Sequence, residues 1–317
     1  MNNDRGQIAI LLAAKDGGRY IGELLESLEN QTCSDFTVYL HDDGSTDDTL
    51  DIYGRYHNDK PEKYKVLEGP PQYGARENFF YLLGKVEADY YLFADDDDVW
   101  KPEKIDDIIT AIKKVEESRG IGYPAAAFCD MRVVDQKLNE IAPSFIRYMG
   151  RDASYTAYTQ ILIDNPAAGC SMGLNRALRD IAIGCEDISR VEMHDAWVMM
   201  VGAVFGTVIY VPEVLVDYRQ HGDNELGAAT ENIMQKITRN LGVFFSGRMK
   251  AKKKEFFELS RGLAGEILKL KGVPGDKAGV LQGYLDMQNY GRLYRIRYCR
   301  QHHIERAHHS AWMRLWI

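Results

Sequence analysis

Apolar residues fall in short blocks along the first 220 or so positions, separated by polar, glycine-bearing turns. Gln7 to Ala13 is a continuous apolar run, the pattern of a strand buried on both faces. After the turn Asp16-Gly17-Gly18, Tyr20, Ile21, Leu24, Leu25 and Leu28 recur at helical spacing. Phe36 to Leu40 predicts a second strand, Tyr64 to Leu67 a short third, and the run Tyr90 to Ala94 a fourth. Arg76-Glu77-Asn78 opens the helix before the fourth strand, and Lys101-Pro102 starts the one after it, amphipathic over Ile105 to Val115. Strands alternating with helices predict a mainly parallel, doubly wound α/β sheet. Right-handed crossovers then bring the ends of strands one, two and four to one edge, where open sheets hold ligands.

Beyond this unit the pattern predicts a strand over Ala125 to Cys129, a hairpin over Met131 to Ala142 and a helix over Ala153 to Ile163. The small-residue loop Asn165 to Cys170 leads to a strand at Ser171 to Leu174, then a helix from Arg176. Glu192-Met193-His194-Asp195-Ala196-Trp197 is the polar head of an apolar helix, followed by a strand over Thr207 to Val211 that leads through Pro212 to Tyr218 and Asn224. The most apolar window, Ala196 to Val211, is too short for a membrane span and is broken by Gly202 and Gly206. From about residue 231 the chain turns helical and basic. Two units are expected, 1–230 and a helical extension, 231–317.

Charge sharpens that division. Residues 231–317 carry 17 Lys/Arg against 7 Asp/Glu, whereas residues 1–230 carry 22 against 40. The five cysteines are scattered with no CxxC pair, which argues against a disulfide framework or zinc site and fits a reducing cytoplasm. The N-terminus has no signal-peptide layout. A GxGxxG after the first strand and a GxxxxGK[ST] are both missing, so a dinucleotide-binding or P-loop enzyme is not expected.

The acids concentrate at predicted strand ends. Asp42-Asp43-Gly44-Ser45-Thr46-Asp47 follows the second strand, where Ser45 or Thr46 is expected to cap the next helix. Asp95 to Asp98, four adjacent carboxylates, follow the fourth. Such an oxygen-rich cluster suits a hard divalent cation, Mg²⁺ or Mn²⁺. Because alternate residues of an extended chain face opposite sides, Asp96 is expected to point away from Asp95 and Asp97.

Asp42-Asp43-Gly44-Ser45-Thr46-Asp47, Asp95-Asp96-Asp97-Asp98-Val99-Trp100 and His194-Asp195-Ala196-Trp197 resemble the inverting family 2 glycosyltransferases of GT-A fold. Gly169-Cys170-Ser171-Met172 and Tyr218-Arg219-Gln220-His221-Gly222-Asp223-Asn224 look most like bacterial rhamnosyltransferase-type members. The resemblance covers roughly residues 7–226. It implies a nucleotide-sugar donor, UDP- or dTDP-linked, with L-rhamnose the candidate sugar. It matches Asp95-Asp96-Asp97 to the family's DxD motif, with Asp97 as direct metal ligand, Asp95 at the ribose or metal, and Asp98 in support. Asp42 and Asp43 correspond to the turn that holds the nucleobase, and a carboxylate is a sensible acceptor for a pyrimidine N3–H. Ala13, Lys15 and Asp16 stand at the first-strand end of the donor site, where Lys-Asp-Gly replaces the family's usual Tyr-Asn-Gly. Asp96 also falls in the donor-binding set. Arg76 and Asn78 match a segment near the donor phosphate and sugar, and His221 a contact to the pyrophosphate or metal. Asp195 falls at the catalytic base, and Gly169, Cys170, His194 and Trp197 line the acceptor side. Cys170 reads as a small core residue and Trp197 chiefly as packing.

The basic tail mixes Lys250, Lys252, Lys253 and Lys254 with Phe256-Phe257, and Arg292, Arg295, Arg297 and Arg300 with Tyr290, Tyr294 and Tyr298. Beside so acidic a body this favours peripheral contact with the inner face of the cytoplasmic membrane, where lipid-linked acceptors are met, over nucleic acid. The expected activity is transfer to a glycan or lipid-linked acceptor in cell-surface polysaccharide synthesis. A nucleotidyltransferase acting on sugar phosphates and a non-catalytic nucleotide- or glycan-binding module stay open as alternatives.

Overall fold

The computed structural model describes residues 6–221 and 248–307, with side chains from 254 onward in the second stretch. Strands β1 (Ile8–Ala14), β2 (Thr37–Asp42), β3 (Tyr64–Val66) and β4 (Tyr90–Asp95) alternate with helices α1 (Ile21–Glu29), α2 (Thr49–Asp59) and α3 (Ala75–Lys85). β1 pairs in parallel with both β2 and β4, and β2 with β3. Alternate residues of β1 enter different cores: Ala9 and Leu11 join one apolar cluster, while Ile8, Ile10, Leu12 and Ala14 join the other. A strand covered on both faces needs an unbroken apolar run, which is what Ile8–Ala14 supplies.

β5 (Val99–Trp100) is a two-residue strand that the sequence pattern did not predict. After α4 (Lys104–Arg119) come β6 (Ala125–Val134), the hairpin strand β7 (Glu140–Ala142), α5 (Phe145–Tyr148), α6 (Tyr158–Ile161), β8 (Met172–Asn175), α7 (Arg176–Ala182), α8 (His194–Phe205) and β9 (Thr207–Arg219). The sheet order is β3-β2-β1-β4-β8-β6-β9-β5, with β7 on β6. β8 runs antiparallel to both of its neighbours, so the sheet is mostly parallel with reversed members. The helix expected over Ala153 to Ile163 is reduced to the single turn of α6; Asp152 folds the start of that stretch instead, accepting from both the backbone N–H and the hydroxyl of Ser154. The final strand is longer than expected. It passes Pro212 by a register shift against Cys129, Asp130 and Met131, because proline cannot donate to the ladder.

α9 (Arg248–Lys269), α10 (Gly275–Asp286) and α11 (Arg292–Gln301) bear out the helical extension. Leu263, Ala264, Ile267, Leu281, Tyr284, Met287 and Cys299 share one apolar cluster with Trp197, Val198 and Val201 of α8. Lys277 fastens the joint by donating to the carbonyls of Ala203 and Val204, the free acceptors at the end of α8. The expected boundary near residue 230 lies outside the described residues. Among the described residues no helix is long and apolar enough to cross a membrane.

The turn from α8 into β9 depends on Gly206, whose missing side chain lets the backbone touch Pro124: a Cβ there would lie 1.9 Å from the Pro124 carbonyl oxygen. Gly206→Ala should cost about 1–3 kcal/mol in urea unfolding. A loss below roughly 0.5 kcal/mol would show that the approach can relax.

Candidate active site

Three turns meet at the carboxyl edge of the sheet. Register places Ala13 beside both His41 and Asp95, and Ala14 beside Asp42, so the acids following β1, β2 and β4 stand side by side. Asp16 adopts a positive φ of 50°. Its carboxylate accepts from the Thr46 backbone N–H (2.7 Å) and hydroxyl (3.2 Å), while the Asp16 N–H donates to Ser45 Oγ (2.8 Å). The Thr46 N–H, with its hydroxyl and Lys15, holds the Asp16 carboxyl below its usual range. Ser45 and Thr46 therefore bind across to the β1 turn and do not cap α2, a correction to the expected capping. Lys15 spans the same gap, its ammonium bonding the Gly44 carbonyl.

Asp42 and Asp43 do different work. Asp43 uses both oxygens to hold the loop before α3, accepting from the N–H groups of Gln72, Tyr73 (2.8 Å) and Gly74 (2.8 Å). Asp42 Oδ2 accepts from the Gly44 and Ser45 N–H groups, and its Oδ1 is buried without a partner. Asn78 departs from its expected place at the donor: it is buried, and both polar atoms of its amide bind His41, at Nδ1 (2.8 Å) and at the carbonyl (3.1 Å). Arg76 is likewise turned from the donor, pairing with Glu77 and donating to the Val191 carbonyl at 2.8 Å.

The acidic turn after β4 spreads its four carboxylates in different directions. Asp96 faces the β1 turn, taking the Lys15 N–H at 2.9 Å, and Gly17 is small enough to leave it room. Asp97 meets His221 Nε2 at 2.8 Å, and the His221 ring stacks on Tyr20 with centroids 4.9 Å apart. Asp98 is fully buried; one oxygen accepts from the Arg219 N–H (3.0 Å), and the carboxylate also faces the Cys170 thiol. Ligand atoms of Asp95, Asp98 and Cys170 lie within 4.8 Å of one another. Burial, then repulsion from Asp97, pushes the Asp95 carboxyl up to about 7 and those of Asp96 and Asp98 well above the carboxylate range. A buried cluster of mutually repelling carboxylates fits a hard divalent cation. The Cys170 thiol is held protonated by burial, as a packing residue and not a ligand for such an ion.

The sequence model of the family described as Glycosyl transferase family 2 matches residues 10–181. The chain belongs to this family. Over 247 residues, 75% of this chain and 72% of the other, it is 24% identical to an uncharacterized glycosyltransferase, alr2836, of Nostoc sp.. A 105-residue stretch, 32% of this chain and 36% of the other, is 32% identical to the dTDP-rhamnosyl transferase RfbG of Shigella flexneri. The fold is shared with the mannosyltransferase PcManGT from Pyrobaculum calidifontis, solved in complex with GDP-Man and Mn²⁺, at a TM-score of 0.52 and 15% identity over 99% of this chain and 88% of that one.

In this family 2 glycosyltransferase Asp195 stands in the first turn of α8 as a buried carboxylate. The helix is capped by Met193, so Asp195 is not the N-cap. Burial raises it to about 6, against the opposing pull of Arg151. Its neighbours correct the expected acceptor lining at Gly169 and His194 and fit the packing roles read for Cys170 and Trp197. Gly169, Cys170, His194 and Trp197 are all buried beneath the surface. Trp197 donates its indole N–H to the Ala182 carbonyl (2.7 Å). His194 packs on Phe79 and Phe93 with neither ring nitrogen hydrogen-bonded, and burial lowers it to about 3, so it stays neutral. Gly169 is obligatory there, since a Cβ would sit 2.2 Å from His194 Nε2.

Two cations that sequence reasoning did not assign hold the acidic turn. Arg219, 1% exposed, donates from Nε to the Asp97 carbonyl (2.7 Å), from one terminal nitrogen to the Gln136 carbonyl (2.8 Å) and from the other to Glu23 (2.6 Å), and lies over the Tyr20 ring. Lys104, also buried, donates to the Cys170 carbonyl at 2.5 Å and sits 3.0 Å from the centre of the Trp100 ring; burial lowers it to about 8. A lysine one helical turn past an acidic cluster was the available signal for Lys104. Arg219→Met should cost about 3–5 kcal/mol in urea unfolding, and Arg219→Lys should recover little of it, because a single ammonium cannot reach three acceptors. A loss under about 1 kcal/mol for both would remove Arg219 from this role.

Proposed function

We propose that this chain is a metal-dependent, inverting glycosyltransferase with Asp195 as its base, acting from a UDP- or dTDP-linked donor on a glycan or lipid-linked acceptor in cell-surface polysaccharide synthesis. The observation that carries the reading is a buried carboxylate poised near 6 beside an acidic turn at the same sheet edge. L-Rhamnose is the donor sugar this reading favours, supported by the similarity to a dTDP-rhamnosyl transferase. Residues 1–230 carry the transfer and 231–317 form an extension that contacts the acceptor side and the membrane.

Asp195 takes the acceptor hydroxyl proton as that oxygen attacks the anomeric carbon, the bond to the diphosphate breaks on the opposite face, and the configuration inverts. A base near 6 is largely ionised at neutral pH yet far more basic than an ordinary aspartate. Asp97 and Asp95, supported by Asp98, would hold Mg²⁺ or Mn²⁺, which when bound would supply Lewis-acid stabilisation of a departing diphosphate. Asp42 accepts from the base, Asp43 shapes the loop around it, and Ala13, Lys15, Asp16 and Asp96 form the floor between nucleotide and sugar. His221 reaches the same place from the end of β9.

Asp195→Asn should lower kcat/KM by about 10²–10⁴-fold, and the wild-type acid limb should bend near pH 6. Because folding raises this carboxyl above its ordinary value, its contribution to stability is full below about pH 4 and is lost as pH rises through about 6. Asp195→Asn should therefore raise stability at pH 7.5 by up to about 3 kcal/mol. Near-normal transfer by the folded variant would remove Asp195 from the base role.

Asp97→Ala should weaken metal-dependent nucleotide binding by at least about tenfold, read by thermal shift with UDP, dTDP and GDP with and without Mn²⁺. Unchanged binding would exclude Asp97 as a ligand, and a GDP preference would overturn the pyrimidine reading of Asp42.

A further inference from the structure

The C-terminal helix α11 carries four arginines and no acid. Its inner side is anchored: Cys299 is buried in the core shared with α8, and the Tyr298 hydroxyl donates to the Val280 carbonyl at 2.8 Å. Leu293, Arg297 and Arg300 fall on the opposite side, spaced within two turns, and Tyr294 flanks them, its ring against Tyr298 at 6.2 Å. Leu293 is 84% exposed and Tyr294 46%, and Tyr290, just before the helix and 52% exposed, stacks on Tyr294 at 4.4 Å. A leucine presented almost whole to water, between tyrosines and arginines, has no role in the fold.

The chain leaving this helix returns to the acceptor side of the site. Ile304 is buried in the common core. Asp164 takes the Ala307 N–H (3.4 Å) and pairs with Arg306 (3.4 Å). Asp164 immediately precedes the Asn165 loop, which runs to Gly169 beneath Asp195. The exposed basic face is thus tied, through six residues of chain, to the loop beside the candidate base.

We propose that the outward face of α11 docks on an anionic lipid surface and so holds the acceptor side of the site against the membrane. Charge complementarity selects this occupant. Residues 1–230 carry 40 acids against 22 bases, so an anionic surface repels the body and attracts the basic extension, to which α11 contributes four arginines. Leucine and tyrosine side chains suit the headgroup boundary, and arginine suits lipid phosphates. The inference deepens the proposed function by naming a lipid-linked acceptor, but the docking itself does not require transfer.

The full chain should co-sediment with phosphatidylcholine vesicles containing about 30 mol % phosphatidylglycerol, and not with pure phosphatidylcholine; raising NaCl from about 0.1 to 0.5 M should release it. Arg297→Glu combined with Arg300→Glu, and separately Leu293→Asp, should each weaken binding at least about tenfold while leaving the thermal midpoint and transfer to a water-soluble acceptor unchanged. Asp195→Asn should bind vesicles as wild type does, which separates failure of docking from failure of the catalytic reading. Equal binding by wild type and the face variants would overturn the proposal. So would binding to pure phosphatidylcholine, a preference for nucleic acid over vesicles, or a wild-type dimer that Leu293→Asp dissolves.

Discussion

Everything at the sheet edge depends on keeping four adjacent carboxylates on one turn. Burial raises the proton affinity of these groups, and like charges this close raise it further, as in the upward shifts of Asp95, Asp96 and Asp98. The fold meets this by dispersal and by counter-charge. Asp96 turns to the β1 loop, Asp97 to His221 and Asp98 to β9, while Arg219 and Lys104 bring positive charge behind the turn. Neither cation neutralises the cluster outright: Arg219 binds the Asp97 carbonyl, and Lys104 the Cys170 carbonyl. The residual negative charge is left at the carboxyl edge of the sheet.

The same economy explains β5. Two residues suffice because Val99 and Trp100 need only pair with Val216 and Asp217, and Asp217 then gathers Lys101 and Arg132. This pairing brings β9, and with it Arg219 and His221, against the acidic turn. An element too short to show any periodicity therefore decides the geometry of the site.

How much could be read beforehand follows from this. The run Ile8–Ala14, the strand ending at Asp95 and the helix headed by His194 are legible because burial and period are local properties of sequence. The convergence of Asp16, Asp42 and Asp95 was legible too, since chain handedness places strand ends together. What sequence did not show was which partner each side chain meets through space. Asn78 was matched to the donor but spends its amide on His41; Ser45 and Thr46 look like caps but serve Asp16. Trp197 and His194 sit in a motif near the base, yet packing on Ala182 and on Phe79 and Phe93 takes them out of reach.

Asp195 shows how the C-terminal helices bear on chemistry. Its raised proton affinity comes from burial, and α8, which carries it, is closed over by α9, α10 and α11 in one apolar cluster. Lys277 finishes the far end of α8, while Asp164 takes up the chain leaving α11 just before the Asn165–Gly169 loop. The described C-terminal helices thus pack on the helix that carries Asp195 and also carry basic charge. One apolar cluster joins the helix that carries Asp195 to the C-terminal helices, while α11 keeps Arg292, Arg297 and Arg300 exposed to solvent.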